Sequence, residues 1–285
     1  MRVWLLAVLI TFAAPASAAE LVSLEGRIAQ GGLVQGRTQP GAKVALDGKP
    51  IRVSGEGVFL IGFGRDAPAE ARLDVTLPDG RRENRALAVE QRRFDIQRID
   101  GLPERMVSPP PDLVERIKRE NARVGELRRI DTPATAFQQG FIWPVSGPIS
   151  GVYGSQRILN GEPRAPHWGV DIAAPTGTPV LAPAGGIVRL AEPDFYLTGG
   201  TVLLDHGHGL MSGFLHLSAI DVKVGQEVRQ GEPIARVGAT GRVTGPHLDW
   251  RINLFDVRID PILIAPAAPP NTACASNRFG RPQVC

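Results

Sequence analysis

In the stretch Gly245-Pro-His-Leu-Asp-Trp250, His247 and Asp249 stand two apart, and their types and spacing could do chemistry. On a strand, residues i and i+2 point the same way. The imidazole and the carboxylate would then share a face beside Leu248 and Trp250, as a metal or catalytic site requires. An isolated H-x-D is more simply explained by a solvated strand face, so the rest of the chain must decide. A second pair lies in Pro166-His-Trp-Gly-Val-Asp-Ile-Ala-Ala-Pro175. Prolines at both ends leave no room for a stable helix, and Val170 and Ile172 alternate with His167, Gly169 and Asp171 in strand fashion. His167 and Asp171 would face one way across a glycine, leaving the kind of gap a metal ion needs between two ligands. A third candidate, His216, sits between Leu215 and Leu217, where strand neighbours bury it and oblige it to find a polar partner. That partner is either a core hydroxyl or the active centre. His206 and His208 occupy the glycine-rich stretch Asp205-His-Gly-His-Gly209, read as an exposed turn, and a structural role suits them better than ligation.

These candidates fall in a region of short β-runs, glycine and proline from about 140 to Ile264. The segment before it differs. Residues 19–105 read as five to seven short strands cut by turn signals, with hairpins at Asp47-Gly48 and at Pro78-Asp-Gly80. A small β-sandwich is the expectation there, with a role in spacing, wall binding or access. Residues 106–139 form a linker in which three prolines at 109–111 precede a run of helix formers, 112–129. Leu113, Ile117, Val124 and Leu127 fall near one face of that helix and its charges on a solvated one. Residues 265–285 form an Ala/Pro-rich tail. The chain is therefore expected to be mainly β, with an N-terminal β-sandwich, a helical linker and a C-terminal antiparallel β domain.

The C-terminal region carries four motifs in order: H-x-x-x-D at 167–171, F-L-H-L at 214–217, V-G-x-x-V-x-x-G-x-x-I at 224–234 and T-G-P-H-L-x-W at 244–250. Together they resemble the LytM/lysostaphin-type zinc metallopeptidases, which cut peptidoglycan peptides, over roughly residues 141–264. The resemblance implies one Zn²⁺ per chain, with His167 and Asp171 as two ligands and His216 and His247 as catalytic residues. It also exposes a departure, because Asp249 stands where the family has its third ligand, a histidine. Aspartate oxygen binds zinc at about 2.0–2.2 Å, and three protein ligands plus water is the usual catalytic arrangement. Asp249 is accordingly read as the third ligand. A second anionic ligand cancels the formal charge of the ion, so bound water should be acidified less strongly. Phe214 replaces the tyrosine often found in the family's Y-x-H-L. The implied reaction is hydrolysis of an amide bond, with His216 and His247 moving protons; which of them is the base is left open. No H-E-x-x-H helix is present, so a glutamate-base scheme does not apply.

The rival reading is a non-catalytic domain of the same type that binds the wall or activates another wall hydrolase. A lipoyl- or biotinyl-carrier hairpin shares the V-G-x-x-V turn, but no lysine lies between methionines here. The formal charge of +3 in 285 residues is too even to argue for nucleic acid, while peptidoglycan peptides, another hydrolase or a division complex remain as partners. Arg2, the apolar run 3–14 and Ala16-Ser-Ala18 have the pattern of a secretory signal cleaved after residue 18, and an uncleaved anchor is the alternative. Export to the periplasm or cell envelope follows, with no membrane span in the mature chain. In that oxidising compartment Cys274 and Cys285 are expected to pair and staple the tail, unless they remain free or bridge two molecules.

Overall fold

The computed structural model describes residues 20–266. The leader and the proposed Cys274–Cys285 bridge lie outside the described residues. The molecule is mainly β. Among the described residues no helix is long and apolar enough to cross a membrane.

Two small antiparallel sheets build the N-terminal part. One joins Val22–Gly26, Leu33–Thr38 and Val58–Gly62; the other joins Lys49–Ile51, Lys43–Leu46, Glu70–Thr76 and Arg82–Ala88. Asp47 and Gly48 close the first hairpin at φ of 49° and 75°, the left-handed pair that a two-residue turn of matching twist requires. The two sheets enclose one apolar core, with Val34, Phe59 and Ile61 from the first meeting Val44, Leu73, Val75 and Leu87 from the second. Val58 and Leu60 join the larger C-terminal core instead. Arg92 adds a 2.8 Å ion pair to the buried Asp260.

The C-terminal part is built on one long antiparallel sheet. Its strands run, in spatial order, Glu227–Val228, Gly186–Phe195, Gly199–Gly207, Leu210–Leu217, His247–Leu254, Gly169–Ala173 and Ile149–Gly151, with Val257–Ile259 folded back on the end of His247–Leu254. The two central strands, 199–207 and 210–217, are buried at every position. Both faces of the sheet are therefore covered, which is why their sequences read as nearly continuous apolar runs rather than as an alternation. One face carries Val202, Leu204, Phe214, Leu248, Trp250 and Ile252 into the main core. The other carries Leu190, Leu203 and Met211, against which Val124 and Leu127 of the linker helix Pro111–Leu127 pack.

That helix modifies the expectation of a solvated charged face. Arg116 pairs with Asp194, Arg123 with Glu192 at 2.8 Å, and Glu120 accepts from the Tyr196 backbone. Part of the charged face is thus docked on the end of the strand 186–195 and the residue after it. The exposure expected for His206 and His208 is also corrected. His206 closes a strand with its ring fully buried, 2.7 Å from the Gly185 carbonyl and 2.8 Å from Ser212 Oγ. His208 and Gly209, at φ of 52° and 75°, form a two-residue hairpin turn, with the His208 ring buried edge-on to Phe137. Sequence marks the turn correctly but not the segment from Ala134 to Phe141 that covers it.

Candidate metal and catalytic site

The central strand 247–254 alternates cleanly: Leu248, Trp250 and Ile252 point into the core, and His247, Asp249, Arg251 and Asn253 to the other face. In the adjacent strand Asp171 is the cross-strand partner of Asp249, and Ala173 that of His247. Two carboxylates face each other across a buried ladder, a like-charge pair that destabilises unless cations intervene. Positive groups surround it. Arg157 Nη2 donates to Asp171 Oδ2 at 3.0 Å, and Arg251 grips Asp249 at 2.6 to 3.1 Å through Nε and Nη2.

His167 completes the group just before the strand begins. Its Nδ1 lies 3.3 Å from the Val152 carbonyl, which can only accept, so in the neutral ring Nε2 presents its lone pair inward. Nε2 is 3.0 Å from Asp171 Oδ1 and 3.6 Å from Asp249 Oδ2. Candidate ligand atoms of all three residues lie within 4.8 Å of one another. With the ring neutral, His167 Nε2 and Asp171 Oδ1 are two buried acceptors facing each other with no hydrogen between them. Buried polar atoms left unpaired are costly. One imidazole nitrogen and two carboxylates, two of the three donors otherwise unpaired, form a donor set that a zinc ion fits, with a position left for water.

The electrostatics point the same way. Burial opposes protonation of His167, but Asp249 and Asp171 outweigh it and raise the pKa of the ring. Burial likewise opposes ionisation of Asp249, and Arg251 and then His167 overcome it, holding the carboxyl well below the usual range. A site that draws a proton onto a buried imidazole is a site that attracts cations.

Glycine has a different purpose here from the one its spacing suggests. A Cβ on Gly169 would stand 2.5 Å from Asp249 Oδ1, and one on Gly151 would strike the Asp171 carboxylate. The gap between His167 and Asp171 is thus occupied by the Asp249 carboxylate reaching across from the next strand.

His216 and His247 stand beside this group with ring centroids 4.9 Å apart. Leu215 is opposite Asp249 in the ladder, so regular alternation would send His216 to the other face. A left-handed φ of 67° at His216 breaks the alternation. For a residue other than glycine this conformation costs about 1–3 kcal/mol and collects at functional sites. His216 Nδ1 is 2.8 Å from the Thr240 carbonyl, and His247 Nδ1 is 2.9 Å from that of Gly245. In the neutral form either ring would carry its hydrogen on Nδ1 and leave Nε2 unprotonated, that of His247 lying 3.8 Å from Asp171 Oδ1. Burial, and after it the neighbouring His247, lower the pKa of His216 to about 4.

Sequence reasoning missed Arg157 and Arg251, which neutralise the two carboxylates. The signal for Arg251 was available, two residues beyond Asp249 on the same strand face. Arg157 had none, because it arrives on a separate hairpin, Gln156–Leu159 with Glu162–Pro163. Also missed was the cover. Ile96–Ile99 pairs in parallel with Gln156–Leu159, and the chain continues into a helical turn, Glu104–Val107. That turn bridges from the hairpin side, held by Asn160 and Arg164, to the opposite side, held by Tyr196 and Arg242. His167 and Asp249 are only 1% exposed, and Asp171 and His216 6%.

Residues 165–261 match the family model described as peptidase family M23, and the chain belongs to that family. Among particular relatives, it is 47% identical over 125 residues to the peptidoglycan DD-endopeptidase ShyA of Vibrio cholerae, covering 43% of this chain and 28% of ShyA. It is 32% identical over 169 residues to the cell division protein DipM of Caulobacter vibrioides, covering 56% of this chain and 26% of DipM. The chain therefore spans little more than a quarter of these curated relatives. A crystal structure of a candidate M23 peptidase from Pseudomonas aeruginosa matches more fully. It is 32% identical with a TM-score of 0.64, over 83% of this chain and 94% of that one.

Proposed function

We propose that the protein is an exported zinc-dependent endopeptidase that hydrolyses amide bonds in peptidoglycan peptides. The observation that carries this reading is the buried His167–Asp171–Asp249 group, with unpaired donor atoms facing inward and two histidines whose Nε2 atoms are free beside it. Its placement in family M23 and its similarity to a peptidoglycan DD-endopeptidase support the substrate class. An envelope location follows from that substrate.

His167, Asp171 and Asp249 would hold the zinc, which supplies Lewis acidity toward the scissile carbonyl. His216 is neutral at pH 7 because its pKa is about 4. With Nδ1–H given to Thr240, its Nε2 can accept a proton from attacking water, and the resulting imidazolium can return it to the departing amine. His247, fixed in the same way by Gly245, offers a second Nε2 on a ring whose centroid is 4.9 Å from that of His216. The backbone carbonyls set both tautomers, so no acidic side chain is needed to orient either ring.

The deciding experiment measures zinc in purified protein after equilibration with buffered zinc, then digestion of isolated sacculi with and without chelator. About one zinc per chain and chelator-sensitive release of peptides are expected. Zinc binding without peptide release, from protein freed of residues 96–110 by limited proteolysis as well as from intact protein, would refute the enzyme. A module that binds the wall or activates another hydrolase would then be the reading.

A further inference from the structure

The helical turn Glu104–Val107 ends in three consecutive carbonyls, those of Arg105, Met106 and Val107. Helix ends leave such oxygens without partners inside the helix, and they carry the negative end of its dipole. Each is met by one side chain of the C-terminal domain. Tyr196 Oη donates to the Arg105 oxygen at 3.0 Å, Arg242 Nη1 to that of Met106 at 3.2 Å and Arg164 Nη2 to that of Val107 at 2.9 Å. Three donors from three separate segments thus converge on a small patch of partial negative charge.

The charge balance around this patch is uneven. Arg157 is matched by Asp171 and Arg251 by Asp249. Arg164 and Arg242 have no carboxylate within ion-pair distance among the described residues, and Arg164 Nε is buried without any partner. Burial, and then repulsion from Arg157, Arg251 and Arg164, lower the pKa of Arg242 to about 10. The backbone places both unmatched arginines beside the site: Arg164 N–H donates to the Arg157 carbonyl at 2.9 Å, and Arg242 stands two residues beyond Thr240, whose carbonyl holds His216. Two half-buried guanidiniums bonded only to carbonyl oxygens keep their charge unmatched. A carboxylate would form stronger, charge-assisted bonds with the same donors.

We propose that Arg164, Arg242 and Tyr196 form a subsite for a carboxylate of an acidic peptide, which the turn Glu104–Val107 fills in this structure as a stand-in. The subsite reads a free carboxylate near the bond to be cut, and binding there requires the turn to leave. Its identification as a substrate subsite rests on the peptidase reading; the anion chemistry does not.

The test uses the full mature protein and a synthetic stem-type peptide with free carboxylates, beside twins amidated only at the C-terminus, only at the side chains, or at both. Binding is followed by calorimetry, and the turn by hydrogen exchange over residues 102–108. The free peptide should bind about tenfold or more tightly than the fully amidated one, the range of one charged hydrogen-bond pair. It should also accelerate exchange in 102–108, which the fully amidated peptide should not do. The singly amidated twins show whether the terminal or the side-chain carboxylate is read. The double variant Arg164→Met, Arg242→Met should lose the preference, and Arg242→Lys should recover part of it. If the arginines merely anchor the turn, the double variant will exchange faster in 102–108 with an unchanged preference, and the proposal is overturned. It is overturned equally if the parent protein does not distinguish the peptides. Arginine-dependent binding without cleavage of any peptide would refute the hydrolase and retain the subsite. Equal cleavage of all four would do the reverse.

Discussion

Asp249→Asn changes a carboxylate to an amide of nearly the same shape, and so isolates the charge that Arg251 and His167 both face. The Arg251 guanidinium meets Asp249 at 2.6 Å, with only 24% of its side chain and 1% of the aspartate's exposed. Two unit charges about 4 Å apart interact by about 4 kcal/mol at an effective dielectric constant near 20. Removing one partner of a buried pair costs about 3–5 kcal/mol, since the other charge stays buried. The partial exposure of Arg251 places the expected loss near the lower end, about 3 kcal/mol. In a chain of this size that is a fall in Tm of about 6 to 12 °C, measured by thermal unfolding in chelator. Arg251→Met should also destabilise, by leaving Asp249 opposite Asp171 without its cation. The double variant should then lose at least about 2 kcal/mol less than the sum of the singles, well beyond the few tenths seen for independent sites. Zinc at about a hundredfold over its Kd should stabilise the parent by about 3 kcal/mol, and Asp249→Asn much less. A coupling below about 0.5 kcal/mol would refute the reasoning, for it would mean that Asp249 and Arg251 are not held together.

Asp249→His should not by itself give a stable high-affinity centre, because Arg251 would face an imidazole; Asp249→His with Arg251→Met should bind zinc more tightly than the single change, as competition with a chromophoric chelator will show. Gly169→Ala forces a methyl group against Asp249 Oδ1, and zinc affinity should fall about 10- to 100-fold, in the range of outer-shell ligand lesions; unchanged affinity would remove Asp249 from the coordination shell. His206 has its pKa lowered by burial to about 4, from about 6.5 unfolded. The unfolded chain then binds the extra proton first, so this stabilisation is complete above pH 6.5 and is lost as pH falls toward 4, by about 3 kcal/mol in all. His206→Gln should flatten the decline in Tm over that window by roughly one proton's worth, and an identical slope would show that the imidazole is not buried neutral. Asn160→Ala removes two hydrogen bonds to Leu102 and should speed exchange at residues 99–104 while leaving zinc content at its parental value.

What could be read from sequence follows from how far apart the cooperating residues lie. His247 and Asp249 share a strand, so a period of two was enough to place them on one face, and the turn at Asp47-Gly48 was legible because two adjacent residues determine it. His216 was flagged for the right reason, a buried imidazole in need of a partner, but simple alternation would have pointed it away from Asp249. Only the left-handed backbone at that residue turns it into the site, and no local pattern in Phe214-Leu-His-Leu217 announces this. The gap at Gly169 is visible in the sequence, but its occupant is not, because the Asp249 carboxylate comes from a strand eighty residues later. Arg157, Arg164 and Arg242 were beyond reach altogether: each lies in an unremarkable loop or short hairpin, and only the fold gathers them. The linker shows the same limit from the other side. Its apolar residues give a helix, yet nothing in its own sequence says that Arg116, Glu120 and Arg123 will dock on the end of strand 186–195, or that the turn at 104–107 will be gripped by Arg164, Tyr196 and Arg242. The turn is held by a small apolar cluster of Leu102, Val107 and Leu159 and by hydrogen bonds to its carbonyls, a modest hold that the proposed carboxylate would have to overcome. Displacement of that kind would let one chain carry both the hydrolytic centre of the proposed function and its cover.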